Sequence, residues 1–478
     1  MEQTGGRLLF NTLDFLVFLV AVYLTFRLAS QRVRYYILLL ASLFFYGYWD
    51  WNILLLLILT VYVNHHAALS MRRRSGTKVA RAILIASVAM NLGFLIFFKY
   101  YNFFALNTNR LANLFGAAEI LPILSIILPV GISFYTFQII SYTVDVYRGN
   151  IDPEKSFLDL LLFTTYFPQL VAGPIERAGR LLPLLKEAKP SGRADFFSGL
   201  DLALWGIFKK VFISDNLSQL VDIILAPNVH PPAYSYLFGA CLFAIQVYAD
   251  FSGYTDVARG VSRMFGVELV LNFDLPFFST NPAEFWRRWH ITLGAFLRDY
   301  LYIPLGGSRM GEFRKNLNIL IVWTLGGLWH GATIGFLIWG FYCGALIVVY
   351  NLSQPLIQRA ARSKGTSTVL RGGGRIYTFF TFAFGLLLFR ADSPEHLYRM
   401  FHGIAFPAGE AISPYLLAHS LFYALPLIAV QIIQLQKGRL EIFKEFSPLF
   451  RLAISVVGSI LFVLFGSFQA DQFFYFQF

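Results

Sequence analysis

Apolar residues come in long runs along this chain, separated by short polar breaks, and within each run they occupy every face rather than one stripe. The runs cover residues 12–28, 35–49, 53–70, 82–100, 120–146, 157–172, 197–225, 234–262, 317–352, 376–390, 415–435 and 452–468. Helix is the element they predict. A bilayer crossing takes about 20 residues as helix, whereas a membrane barrel would need apolar and polar positions to alternate over about ten residues per strand. The pattern predicts an all-α polytopic membrane protein without internal repeats. The first run, Leu13 to Leu28, has Arg7 ahead of it and Ala29 and Ser30 behind it, as a secretory signal would. Within a polytopic chain it reads as the first membrane helix.

Composition sharpens this. Of the 478 residues 57% are hydrophobic and 14% charged, and the mean hydropathy is +0.59, far from a soluble globular chain. No large soluble domain fits, so residues 1–478 read as a single membrane domain. A net charge of +12 would point to nucleic acid in a soluble protein. Here the basic residues gather in short loops between spans, as the positive-inside bias expects, so the implied partner is membrane lipid and not nucleic acid. Arg27, Arg32 and Arg34 form one cytoplasmic group; Arg72, Arg73, Arg74, Lys78 and Arg81 a second; Arg359, Arg362, Lys364, Arg371 and Arg375 a third. A fourth, Lys437, Arg439, Lys444 and Arg451, precedes the last span, and both termini then fall outside the cytoplasm. Cys241 and Cys343 match no zinc or disulfide spacing and read as packing thiols, with no metal site expected.

The run 317–352 would reach roughly 54 Å as one helix, well beyond an apolar slab of about 30 Å, so it must break or turn. Gly326, Gly327 and Gly331 bracket His330 in LGGLWHGATIGF, and glycine tolerates backbone angles that other residues avoid. Both ends of the run are basic, which predicts a hairpin with two cytoplasmic ends and a turn holding Trp329, His330 and Gly331 at membrane depth. Irregular backbone there is either buried in protein or lines a wet cavity, and an ionisable side chain inside a membrane marks a functional site. Two readings of His330 stay open: a packing histidine bonded to a carbonyl, or a site residue whose flanking glycines leave room for a ligand.

A second histidine sits in NPAEFWRRWHITLGAFLRDYLYIPLGG, residues 281–307. Asn281 and Pro282 suit a helix start, with Glu284 in its first turn. As a helix the segment puts Trp286 and His290 on one face, at i and i+4, with Arg287 and Arg288 off it. It is too charged to cross lipid alone and reads as an amphipathic helix at the interface or folded into the protein. Arg287, Arg288 and Arg298 are either snorkelling arginines of an interfacial anchor or binders of a donor phosphate. In DFSGYTD, Asp250 and Asp256 are either paired carboxylates or part of a helix boundary.

Six blocks occur in order: LPVGISFYTFQIISYTVDVYRG (128–149), FPQLVAGPIER (167–177), DFSGYTDVARG (250–260), EFWRRWHITLGAFLRDYLYIPLGG (284–307), GGLWHGA (326–332) and FFYFQF (473–478). Together they resemble the membrane-bound O-acyltransferase family, in particular its bacterial branch of alginate O-acetylation and teichoic-acid D-alanylation membrane proteins. The final aromatic block and the agreement across 284–332 favour the alginate-type members. The resemblance implies a ring of about 11 transmembrane helices around a thinned centre, with re-entrant and amphipathic helices and a central channel lined by Trp329 and Gly331. It places the family's invariant histidine at His330 and its tryptophan-flanked histidine at His290.

The implied activity is acyl transfer in the bacterial cytoplasmic membrane. The donor is acetyl-coenzyme A or another acyl thioester on the cytoplasmic side, no cofactor is bound, a periplasmic O-acetyltransferase partner receives the acyl group, and a cell-surface polysaccharide is the final acceptor. An imidazole, with an ordinary pKa of about 6.5, suits a general base near neutral pH, which assigns that role to His330 and a donor-side role to His290. In the D-alanylating relatives a partner's C-terminal tyrosine is proposed to carry the acyl group; here Tyr475 of FFYFQF is the corresponding relay candidate, or an aromatic interfacial anchor. D-alanyl transfer from a carrier protein is the alternative within the class. A transporter or flippase of a secretion complex is the alternative outside it, although such proteins show repeats and paired charges on broken helices.

Overall fold

The computed structural model describes residues 8–171, 173–226, 235–361, 363–391, 393–407 and 412–468. Among these, regular structure is helical, and the one pairing of extended backbone is an isolated antiparallel bridge between Phe273 and Trp289. Six helices are long and apolar enough to cross a membrane: Trp51–Arg73, Lys78–Leu114, Ile334–Ala360, Gly365–Arg390, Pro414–Lys437 and Pro448–Phe465. The last has no buried residue, and its Val463 and Leu464 are each 68% exposed. A surface of that kind is stable against lipid and not against water.

Contacts group the chain into two units: Met1–Leu200 with Ala258–Val270 and Gly331–Thr333, and Asp201–Val257 with Leu271–His330 and Ile334–Phe478. In the first unit, helix starts follow their polar caps. The side chains of Thr12, Asp50 and Thr77 accept from the first free amides of Leu13–Leu28, Trp51–Arg73 and Lys78–Leu95. A buried carboxamide binds these helices together: Asn64 Oδ1 accepts from the Ser87 hydroxyl at 2.6 Å and from Asn91 Nδ2 at 2.9 Å. In apolar surroundings such bonds hold helices that hydrophobicity alone would not discriminate.

Two expected spans are corrected here. The run 120–146 is helical only over Ile132–Arg148. Pro122 and Pro129 lie in its first part, each lacking the amide a helix needs, and Gly131 turns the chain at φ +72°. The non-helical part is held by two asparagines seven residues apart on one face of the helix Tyr101–Leu114. Asn109 donates to the Leu121 carbonyl at 2.8 Å and accepts from the amides of Ile120 and Leu121, while Asn102 exchanges the same pair of bonds with Leu124. The run 157–172 is a helix only over Phe157–Thr165, because Tyr166 leaves helical geometry (ψ 108°) ahead of Pro168.

In the second unit the run 317–352 breaks where the glycines stand: one helix, Gly311–His330, ends on the histidine and the next, Ile334–Ala360, starts four residues on. The arms pack backbone against backbone. A Cβ on Gly327 would lie 2.3 Å from the Phe336 carbonyl oxygen and 2.6 Å from the Gly340 Cα, so a larger residue at Gly327 would force the hairpin open.

Asp250 and Asp256 lie inside the helix Ser235–Met264 and not at a helix boundary. Each meets a lysine of the π-helical turn Lys209–Ser214. Lys209 Nζ stands 2.7 Å from Asp256 and 2.9 Å from the Ser252 hydroxyl; Lys210 Nζ stands 2.7 Å from Asp215 and 2.9 Å from Asp250. The carboxylates are thus paired with cations rather than with each other, as buried charge requires.

Candidate active site

His290 is not on a helical face with Trp286. The helix Pro282–Arg288, capped by Asn281, stops before it; Trp289 is extended and His290 takes a left-handed backbone, φ 47°, ψ 54°. For a residue with a Cβ this conformation costs free energy and persists only where neighbours enforce it. A short ladder does so. The Asp274 amide donates to the Arg288 carbonyl at 2.9 Å, the Ile291 amide donates to the Asn272 carbonyl at 3.0 Å, and Phe273 and Trp289 pair between them. The Asn272 side chain, 1% exposed, accepts from both the amide and the hydroxyl of Thr292.

This ladder turns the His290 ring inward. It meets the Phe251 ring edge-on at 4.7 Å between centroids and lies 6.1 Å from Trp329. His330, at the C-terminus of its helix, is edge-on to Trp329 at 4.9 Å, to Trp339 at 5.2 Å and to Phe389 at 5.6 Å. Both imidazoles are buried, at 3% and 8% exposure. They share one cavity of about 20 Å³, whose wall includes Trp286, Trp339, Gly294 and Gly326; the rest of it is likewise Trp and Leu. That volume holds about one water molecule. Burial pushes the His290 imidazole down to about 3, so it is a neutral ring at ordinary pH.

The other candidates fall around this pair. Trp329 packs against both imidazoles, and Gly331 opens the three-residue break after His330. Arg288 is engaged by Glu284 at 3.0 Å. Burial raises the Glu284 carboxyl, but hydrogen bonds from the Thr280 amide and hydroxyl and the charge of Arg288 outweigh it and leave the group below the ordinary glutamate range. Arg298 is exposed and paired with Asp299 at 2.7 Å, and Arg287 is exposed. Tyr475 lies outside the described residues. Among those residues no group of three or more His, Cys, Asp or Glu side chains could hold a metal ion. Reading the sequence missed Asn272, Phe251, Trp323 and Trp339. Tryptophans at 286, 289, 323, 329 and 339, on either side of both histidines, were the available signal.

Chemically, the site offers imidazoles in a nearly dry aromatic enclosure, an arrangement suited to moving a proton rather than to binding a charged group. The model of the membrane-bound O-acyltransferase family matches residues 40–389. The chain is similar to a protein of Pseudomonas aeruginosa described as "Probable alginate O-acetylase", 36% identical over 83% of this chain and 75% of that one. It is also similar to the peptidoglycan O-acetyltransferase of Helicobacter pylori, 36% identical over 66% of this chain and 64% of that one. The teichoic acid D-alanyltransferase of Bacillus subtilis is more distant, 26% identical over 56% of this chain and 69% of that one. The chain, an all-α multi-pass membrane protein, belongs to the membrane-bound O-acyltransferase family.

Proposed function

We propose that this protein is a membrane-bound O-acetyltransferase that takes an acetyl group from a thioester on the cytoplasmic side and passes it outward for O-acetylation of a cell-surface polysaccharide. The observation that carries this reading is the enclosure of His290 and His330 in one cavity. The higher identity to the O-acetylating relatives than to the D-alanylating one, 36% against 26%, favours acetyl as the group moved.

In this reading His330 removes the proton of the accepting hydroxyl as its oxygen bonds to the thioester carbonyl carbon. The carbon–sulfur bond then breaks, and the imidazolium returns the proton to the leaving thiolate, so protons and charge balance over the turnover. His290, neutral at working pH, lies on the donor side. Arg287, which is exposed, is the first proposed binder of donor phosphates, while Arg288 and Arg298 would have to share themselves with Glu284 and Asp299. Acetyl-coenzyme A is the proposed donor, the bacterial cytoplasmic membrane the proposed location with both termini outside the cytoplasm, and a periplasmic O-acetyltransferase the proposed partner that selects the polymer. Tyr475 is the proposed relay between chain and partner.

The test is His330→Ala in protein that still inserts into the membrane, with polymer-bound acetyl ester measured. Loss of at least a hundredfold is expected, in line with the contribution of a positioned general base; undiminished transfer overturns the assignment. Tyr475→Phe tests the relay: without that hydroxyl both polymer acetylation and release of free thiol from the donor should fall, and undiminished acetylation removes Tyr475 from the pathway.

A further inference from the structure

A second apolar cavity lies behind the one that holds the two imidazoles. It measures about 10 Å³ and is lined by Phe285, Tyr342, Cys343, Thr378 and Phe382. Trp286 and Trp339 belong to the walls of both cavities, and their rings meet edge-on at 5.8 Å between centroids. These two indoles therefore form a partition, with His330 against Trp339 on one side and the Cys343 thiol on the other.

The partition is held rigidly. Trp339 is 3% exposed and packs on Phe389 at 4.8 Å, while Trp286 lies against Trp323 at 4.4 Å and Phe382 at 6.1 Å. Beside the imidazoles there is room for about one water-sized group. On the opposite wall a Cβ on Gly326 would come within 3.2 Å of the Leu297 side chain, a tight contact.

We propose that Trp286 and Trp339 are the acyl-length filter of this site, admitting a two-carbon acyl group, and that the cavity behind them is an apolar subsite that longer acyl groups enter once the partition is trimmed. The proposal rests on the acyltransferase reading above. With a thioester carbonyl beside His330, the acetyl methyl abuts the wall that Trp286 and Trp339 form, and each added methylene must displace an indole. Removing either indole joins the two spaces through a wall that is already apolar, so the extra methylenes find a lining suited to them.

The experiment uses the full-length protein in inverted membrane vesicles from its own producing cells. The vesicles are given acetyl-, propionyl- or butyryl-coenzyme A labelled in the acyl group, and labelled ester in the polymer fraction is counted. Wild type should lose about tenfold or more in transfer per added methylene, at least the lower end of what a hydrophobic pocket discriminates. Trp286→Leu and Trp339→Leu should each raise the butyryl-to-acetyl ratio about tenfold or more, whatever they do to the absolute rate. Butyryl transfer by wild type at the acetyl rate overturns the filter and leaves the acyltransferase reading standing, and this arm decides the matter even if a variant fails to insert. An unchanged ratio in variants that still transfer acetyl also overturns it. Wild-type vesicles that transfer no acyl group at all overturn the reading itself, and the filter with it.

Discussion

The Asn272 carboxamide oxygen holds Thr292 by two bonds at once, accepting from its amide at 3.2 Å and from its hydroxyl at 3.0 Å. Thr292 is two residues beyond the left-handed His290, so this clamp and the Asn272 carbonyl's bond to the Ile291 amide fix the direction in which the imidazole leaves the backbone. Asn272→Ala removes both of the buried hydrogen bonds to Thr292, each worth on the order of 1 kcal/mol. A lower unfolding temperature in detergent is expected, together with a fall in acetyl transfer. Thr292→Val gives up the hydroxyl bond alone and should lower both by less. If Asn272→Ala matches wild type in both measurements, the clamp does not hold His290.

Burial of the His290 ring makes stability depend on pH with a definite sign. Its folded pKa, about 3, lies below the ordinary value of about 6.5, so between those limits the unfolded chain binds a proton that the folded chain does not. Stability should therefore be fully present above about pH 6.5 and decline as pH falls through that window. Unfolding temperatures measured from pH 4 to 8 should show this decline in wild type and a shallower one in His290→Gln. Equal slopes would mean that other groups set the acid sensitivity.

The Lys209–Asp256 pair is sealed in the second unit, with side-chain exposures of 3% and 18%. Lys209→Met removes the cation 2.7 Å from Asp256 and should destabilise the protein by up to about 3–5 kcal/mol, read as loss of inserted protein or of heat resistance in detergent. Lys209→Met combined with Asp256→Leu removes both charges and should recover most of the loss. A double variant as unstable as the single one would show that Lys209 acts through Ser252 or the surrounding aromatic rings instead.

Much of the architecture can be read in the chain because lipid imposes a simple rule: apolar runs of sufficient length become helices. A break near His330 followed from length and the glycines, but Trp329 and His330, expected in the turn, close the helix Gly311–His330 and only Gly331 of the three lies in the break. What escaped was everything that depends on a partner distant in sequence. Residues 120–131 look like part of a span until the carboxamides of Asn102 and Asn109 take over the backbone bonds of Ile120, Leu121 and Leu124. Asp250 and Asp256 looked like a helix boundary because the lysines that neutralise them lie some 40 residues earlier. Likewise, the i, i+4 reading of Trp286 and His290 assumed a continuous helix, and a three-residue ladder from 272–274 breaks it. The two residues nevertheless line the same cavity, reached by a turn instead of a helical face.

The narrowness of the space beside the imidazoles bears on which nucleophile is served. A cavity of about 20 Å³, with room for about one water-sized group, presents one hydroxyl at a time to the base, and the accepting hydroxyl that takes this place keeps solvent out of it. In the proposed reaction the thioester is thereby shielded from futile hydrolysis by crowding alone, and energy invested in the donor is released only when a hydroxyl arrives from the far side to take the group.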